Sequence, residues 1–199
     1  MPNHPPSTSD AQLWDRFRAG DEAAYVAIYQ RYVRVLYNYG LRVMPQQSER
    51  VLDAIQDLFV YLWQRRAHLG PTASIRNYLF KALRRKLRRQ FRQPFSFAFY
   101  EALTQAHDRV LSLADDFDRA ADQLEEEHLH QLTTALEHLP DSQKEIIYLR
   151  FYNQMSAAEI ADILAVSTRT VYRLLDRALE ELQNNIVLEL LVLLTVLQA

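Results

Sequence analysis

Residues 155–182 read MSAAEIADILAVSTRTVYRLLDRALEEL, and their spacing decides the fold. Ser156 stands three positions before Glu159, the pattern of a capping box at a helix start. Ile160 and Leu164 follow at helical spacing and face inward. Ala161 is small enough to let a following helix approach closely. Ala165 and Val166 make a tight turn, and Ser167 is placed to cap a new helix. In that second helix Val171, Leu174, Leu175 and Ala178 form the inward face, which leaves Thr168, Arg169, Thr170, Tyr172, Arg173 and Arg177 pointing outward. Two capped helices with a turn of three or four residues between them describe a helix-turn-helix. Its second helix enters the major groove and presents its first residues to base edges. Arg169 and Arg173, one turn apart, reach guanine edges or phosphates, each good bidentate pair supplying ~1–3 kcal/mol of discrimination. Thr168 and Thr170, near the positive end of the helix dipole, suit phosphate oxygens. The competing reading is a helical hairpin with solvated arginines; the two caps, the small residue and the basic outer face together favour DNA.

Upstream of this unit runs the stripe Leu129, Leu132, Leu136, Leu139, broken by Pro140, after which Ser142 and Glu145 are spaced for a further capping box. His128, His130 and His138 share this stretch, yet no cysteine or dense carboxylate shell completes a site, so no metal is expected. Downstream lies IVLELLVLLTVL (186–197), shorter than the ~20 residues of a membrane span and interrupted by Glu189. No membrane insertion is expected of it. It reads either as a last helix on the second domain or as an interface for an inhibitor or a second copy.

The first half is also helical in period. Leu13, Trp14 and Phe17 stop at Gly20, a natural terminator. Asp21 caps a second helix with Tyr25, Ile28, Tyr29, Tyr32, Leu36 and Tyr39 on one face. After Pro45, Ser48 starts a third helix burying Val51, Leu52, Ile55, Leu58, Phe59 and Leu62. HLGPTAS (68–74) is a turn, and Ser74 caps a fourth helix reaching about Arg92 before Pro94. Nothing alternates with period two, so no strands are expected.

Charge is segregated along the chain. Total charge is only −2, yet Lys81, Arg84, Arg85, Lys86, Arg88, Arg89 and Arg92 form a run without one acidic residue. Tyr78, Leu79, Ala82, Leu83 and Leu87 lie largely on the opposite side of that helix. Basic residues interleaved with Tyr78, Phe80 and Phe91 suit a single nucleic-acid strand, with arginines along the backbone and rings against bases. For Tyr78 a core role is the stronger expectation. The arginines repel one another unless an anion is near. Between Asp108 and Glu127 the sign reverses, with Asp115, Asp116, Asp118, Asp122, Glu125 and Glu126 against only Arg109 and Arg119.

These patterns imply an all-α chain of two small helical domains joined by a linker: a lead-in over 1–9, a first domain over 10–93, an acidic linker over 94–127, a helix-turn-helix domain over 128–184 and an apolar tail over 185–199. Three scattered glycines argue against phosphate-cradling loops. With no cysteine, disulfides, thiolate zinc and cysteine nucleophiles are excluded. The opening MPNHPPSTSD is no secretory signal, which fits a cytoplasmic chain. No triad, carboxylate pair or metal set is present, so neither catalytic residues nor cofactors are expected.

The chain resembles the extracytoplasmic-function (ECF) group of bacterial sigma-70 factors, the promoter-recognition subunits of RNA polymerase. GDEAAYVAIYQRYVRVLYNYG (20–40), QDLFVYLWQRR (56–66) and NYLFKALRRKLRRQ (77–90) are similar to that family's region 2. LEHLPDSQKEIIYLRFYNQMSAAEIADILAVSTRTVYRLLDRALEEL (136–182) is similar to its region 4. The resemblance implies that Asp53, Gln56, Asp57, Tyr61 and Gln64 dock on a coiled coil of the polymerase's largest subunit. It implies that the basic helix with loop 68–74, carrying Arg76, Asn77, Lys81, Arg84, Arg85, Arg88, Arg89 and Arg92, takes the melted downstream promoter element. The helix containing Ser167, Thr168, Arg169, Thr170, Tyr172, Arg173 and Arg177 would read the upstream element as duplex. Leu149, Arg150 and Phe151 would lie near the surface that meets the flap of the second-largest subunit, and an anti-sigma factor is the further partner the group implies. Two departures stand out: Arg85 replaces the asparagine common in the basic helix, and Ala165 replaces a glycine common in the turn.

Three rivals remain. A stand-alone helix-turn-helix regulator leaves the first domain idle. A nuclease or recombinase needs carboxylates beside the basic helix, where there are none. A sigma-like protein without promoter melting has only Arg85 in its favour. The acidic linker reads as a solvated spacer, with masking of the basic helix as the alternative.

Overall fold

The computed structural model describes residues 9–90 and 134–197, with side chains over 9–89 and 134–184. All regular structure among the described residues is helical. The chain divides into two compact units.

The first unit holds four α-helices: α1 (Asp10–Arg18), α2 (Glu22–Val43), α3 (Ser48–Arg65) and α4 (Ile75–Gln90), with a 3-10 turn at Arg66–His68. The start of α1 is a complete capping box: Gln12 N–H donates to Ser9 Oγ, and Ser9 N–H donates to Gln12 Oε1. The helix ends at Gly20, whose φ of +96° suits a residue without Cβ. There the N–H of Gly20 donates to Phe17 O and that of Asp21 to Arg16 O, the pair of bonds that closes a Schellman turn. Asp21 then caps α2, accepting from Ala24 N–H at 3.1 Å. This bond and the adjacent Arg16 guanidinium hold its carboxyl below the usual carboxylate range.

Helix α2 packs on α1, α3 and α4. Its apolar stripe meets Trp14, Phe17, Val51, Ile55, Phe59, Leu62, Leu79, Leu83 and Leu87 in one core. Rings from three helices form a cluster, with Tyr25 5.0 Å from Trp63 and 6.0 Å from Phe17. Gly40 sits where α2 crosses α3, and a Cβ there would collide with Val51.

Ser48 starts α3 as expected, after a cap position, Gln47, that makes no side-chain capping bond. One expectation for this helix needs correction. Leu52 is 41% exposed and Ala54 takes its place in the core. The cause is phase: Val51, Ala54, Ile55, Leu58, Phe59 and Leu62 keep a spacing of three and four, and Leu52 lies outside that arc.

The C-terminal half of the chain contains α5 (Asp141–Ile147), a π-helical turn (Tyr148–Tyr152), α6 (Ala157–Leu164) and α7 (Thr168–Leu197). Helix α5 packs on α7. The Ser142–Glu145 capping box does not form. Instead Pro140 caps α5 through its carbonyl, which accepts from Gln143 N–H at 2.8 Å and Lys144 N–H at 3.0 Å, and Ser142 lies inside the helix. Proline fixes its own φ for this start two positions earlier than the serine pattern suggests. The stretch 186–197 continues α7 without a break. No helix among the described residues is long and apolar enough to cross a membrane. The linker 94–127, His128 and His130 lie outside the described residues, whereas His138 Nδ1 lies 2.7 Å from Thr134 O on its own helical turn.

Candidate nucleic-acid interface

Both caps of the helix-turn-helix form. Ser156 Oγ accepts from Glu159 N–H at 3.3 Å, while Glu159 Oε2 accepts from Ser156 N–H at 2.8 Å. Ser167 Oγ accepts from Thr170 N–H at 3.1 Å and lies 2.8 Å from Thr170 Oγ1. Between the helices Ala165 adopts φ +57°, and the following Val166 N–H donates to Ala161 O at 3.0 Å. The turn therefore needs a left-handed residue, and alanine occupies it at a cost on the order of 1 kcal/mol relative to glycine.

Val171, Leu175 and Ala178 are buried along α7, with Leu174 half-buried beside them. On the other side Thr168, Arg169, Tyr172, Arg173 and Arg177 are exposed, and only Thr170 turns partly inward to meet Ser167. Tyr172 is 57% exposed between Arg169 and Arg173, so a ring and two guanidiniums share the first two turns. That surface can hydrogen-bond base edges and phosphates together.

Ahead of this motif the π-helical turn changes the expected surface. Leu149 is fully buried, and its carbonyl accepts from Met155 N–H at 3.1 Å. Arg150, Phe151 and Tyr152 are the exposed residues, with Tyr152 stacked 4.8 Å from Tyr148. Leu149 follows the fully buried Ile146 by three positions and so continues its inner face.

Helix α4 separates its two sides cleanly. Ile75, Leu79, Phe80, Leu83 and Leu87 are buried, while Lys81, Arg85, Arg88 and Arg89 are exposed and Arg76, Asn77, Arg84 and Lys86 half-buried. Phe80 is therefore unavailable for stacking on bases: it is 0% exposed and lies 5.0 Å from the Tyr39 ring. Tyr78 packs 5.0 Å from Trp14, and burial pushes its phenol pKa up, as expected of a core ring. The basic run is also not wholly uncompensated, because Lys86 Nζ pairs with Asp57 Oδ2 at 3.0 Å. Ser74 Oγ caps this helix at Asn77 N–H, 3.1 Å away. Arg92 and Phe91 lie outside the described residues.

On α3, Asp53, Gln56, Asp57, Tyr61 and Gln64 are all exposed, and their spacing puts them on one stripe. Val60, 52% exposed, stands within the same stripe, and a reading confined to polar residues omits it. An apolar side chain amid carboxylates and amides on an outer face is the kind of surface a partner covers.

The backbone of loop 69–74 carries a second feature that periodicity does not reveal. It is bonded to side chains of α1, with Trp14 Nε1 donating to Gly70 O at 2.9 Å and Arg18 Nε to Leu69 O at 2.7 Å.

The family model "Sigma-70 region 2" matches residues 28–94, and "Sigma-70, region 4" matches residues 129–182. No curated protein matches the chain. Among solved structures, CnrH in complex with the cytosolic domain of CnrY is similar at a TM-score of 0.58 and 23% identity, over 89% of this chain and 96% of that one. The sigma factor RpoE of Bartonella quintana, in complex with the anti-sigma factor NepR, gives a TM-score of 0.48 at 15% identity over 82% of this chain and 94% of that one. The RsbN–BldN complex gives 0.33 at 18% identity over 86% and 97%.

Proposed function

Because the chain belongs to the sigma-70 family of transcription initiation factors, we propose that it is of the extracytoplasmic-function group, binds core RNA polymerase and directs it to a defined set of promoters. The exposed stripe of α3, Asp53 to Gln64, docks on the coiled coil of the largest subunit. Helix α4 with loop 68–74 receives the melted downstream strand, and the first turns of α7 read the upstream element as duplex. Arg150, Phe151 and Tyr152 form the surface offered to the flap of the second-largest subunit. The chain acts by binding alone, in the cytoplasm, and an anti-sigma factor that covers these surfaces is its regulatory partner. Its working parts are a first domain over 10–93 and a helix-turn-helix domain over 128–184.

The observation that carries this reading is the start of α7. Ser167 caps the helix, Val171 and Leu175 anchor it, and Arg169, Tyr172 and Arg173 stand exposed on its first two turns. Groove-reading helices contact base edges with their N-terminal residues. A regulator working alone would need only this unit, whereas the α3 stripe and the basic α4 need a polymerase and an open strand.

Size-exclusion chromatography with bacterial core polymerase tests the proposal. Wild type is expected to co-elute at one copy per enzyme, and a chain carrying Asp53→Ala, Gln56→Ala and Asp57→Ala is expected to elute separately. Failure of wild type to associate while it still binds duplex DNA would make it a free-standing regulator.

A further inference from the structure

Helix α1 carries three polar groups at a spacing of four, Asp10, Trp14 and Arg18, which puts them on one side of the helix. All three bond to the same short piece of chain. Arg18 Nε donates to Leu69 O at 2.7 Å, Trp14 Nε1 donates to Gly70 O at 2.9 Å, and Asp10 Oδ2 accepts from Ile75 N–H at 3.2 Å. Asp10 is itself held, taking the Tyr32 hydroxyl at 3.0 Å and Arg31 at 3.1 Å. Trp14 is 0% exposed and so cannot swing away from its bond. Within the loop, Thr72 Oγ1 donates to Ser74 O and accepts from Ser74 N–H.

Two of these bonds reach main-chain carbonyls of the loop and the third reaches the N–H of Ile75, where α4 begins, and none uses a loop side chain. His68, Pro71 and Ala73 are left exposed, and a Cβ on Gly70 would meet nothing within 4 Å. Three anchors on a segment this short fix its path far more tightly than a surface turn needs. A packing role alone would be met by the buried rings of Trp14 and Phe17.

We propose that Asp10, Trp14 and Arg18 are positioning residues: α1 is a splint that holds loop 69–74 by its backbone, so that the exposed side chains of the loop meet an unpaired promoter base in a fixed place. This rests on the reading that the loop and α4 receive the melted strand. It adds that specificity at that strand depends on a helix that does not touch DNA. It also explains the division of labour within the loop, because carbonyls held from behind leave the side chains free to differ without loss of position.

The test uses holoenzyme assembled from core polymerase and the full chain, on fork-junction probes built from a promoter mapped with wild type. Each probe carries an abasic site at one position of the unpaired strand. Wild type is expected to lose binding on the order of tenfold at one position or more, the weight of a stacked base. Trp14→Phe and Arg18→Met are expected to flatten that profile to about twofold, the residual of backbone contacts alone, while co-elution with core and binding of the upstream duplex stay as in wild type. Arg18→Lys, which can still donate to Leu69 O, is expected to restore the profile. Hydrogen exchange in Arg18→Met should quicken at the amides of 70 and 72–75 and stay unchanged in α2 and α3. A profile kept by both variants overturns the splint. So does a flattened profile accompanied by loss of cooperative unfolding, which would mark a general folding role. A flat profile in wild type itself is a different failure: it removes the melted-strand reading on which the splint rests.

Discussion

Lys86 Nζ lies 3.0 Å from Asp57 Oδ2, so the basic helix α4 and the outer stripe of α3 share one ion pair. Asp57 thus belongs to both proposed surfaces. With its carboxylate open to solvent the pair contributes about 0–1 kcal/mol to stability, but it neutralises one cation beside the proposed strand path. Asp57→Asn is expected to leave the unfolding midpoint nearly unchanged and to weaken co-elution with core polymerase. In the same variant, single-strand DNA binding by the free chain should strengthen, with a salt dependence steeper by about 0.7 in log–log slope. Fluorescence titration at several salt concentrations measures this; an unchanged slope would mean that Lys86 does not face the strand.

Arg173 offers the cleanest separation of reading from folding. It is exposed on α7, one turn beyond Arg169. Arg173→Ala is expected to cost ~1–3 kcal/mol of upstream-element binding at one base pair, with co-elution and thermal unfolding as in wild type. A loss spread evenly over all sequences would instead assign Arg173 to phosphate contact.

Tyr32 ties α2 to the splint and gives the fold an alkaline limit. Burial and then the neighbouring Asp10 carboxylate push its phenol from 10.0 to about 12. A raised folded pKa means that the contribution to stability is fully present below pH 10.0 and is lost as pH rises through about 12. Tyr25 and Tyr78, shifted up by burial, act in the same direction. Denaturant unfolding between pH 7 and 12 should show stability falling from about pH 10, and Tyr32→Phe should lower neutral stability by about 1 kcal/mol while flattening the alkaline decline.

Two backbone positions carry opposite predictions. Ala165 sits at φ +57°, so Ala165→Gly should raise stability by about 0.5–1 kcal/mol, read as a higher unfolding midpoint.

Gly40 touches Val51, so Gly40→Ala should lower stability by ~1–3 kcal/mol through overpacking. Adding Val51→Ala in the same chain should recover part of that loss; no recovery would place the strain elsewhere.

What was legible in the sequence was whatever repeats along one helix. The caps at Asp21, Ser74, Ser156 and Ser167 and the buried faces of α2 and α7 follow from local spacing, with Tyr29 of the α2 stripe left exposed. The errors fall where two elements meet. Phe80 looks like a stacking ring beside its arginines, yet Tyr39 of another helix covers it. Leu149 continues the buried face of Ile146, and Pro140 preempts a serine cap two residues further on. The Asp57–Lys86 pair and the Trp14–Gly70 bond join residues 29 and 56 positions apart, and no periodicity marks either. Of the candidate surfaces, the sequence reveals which residues face out; only the fold reveals that α1 stands behind the loop.

Helix α7 begins with the exposed arginines and runs 30 residues as one rod, about 45 Å at 1.5 Å per residue. Its two ends are therefore locked in rotational phase. One residue inserted between Leu179 and Asn184 would turn the far end by about 100° against Arg169 and Arg173 and move it only about 1.5 Å. Whatever meets residues 186–197 consequently finds its target at an azimuth set by the same backbone that aims the arginines.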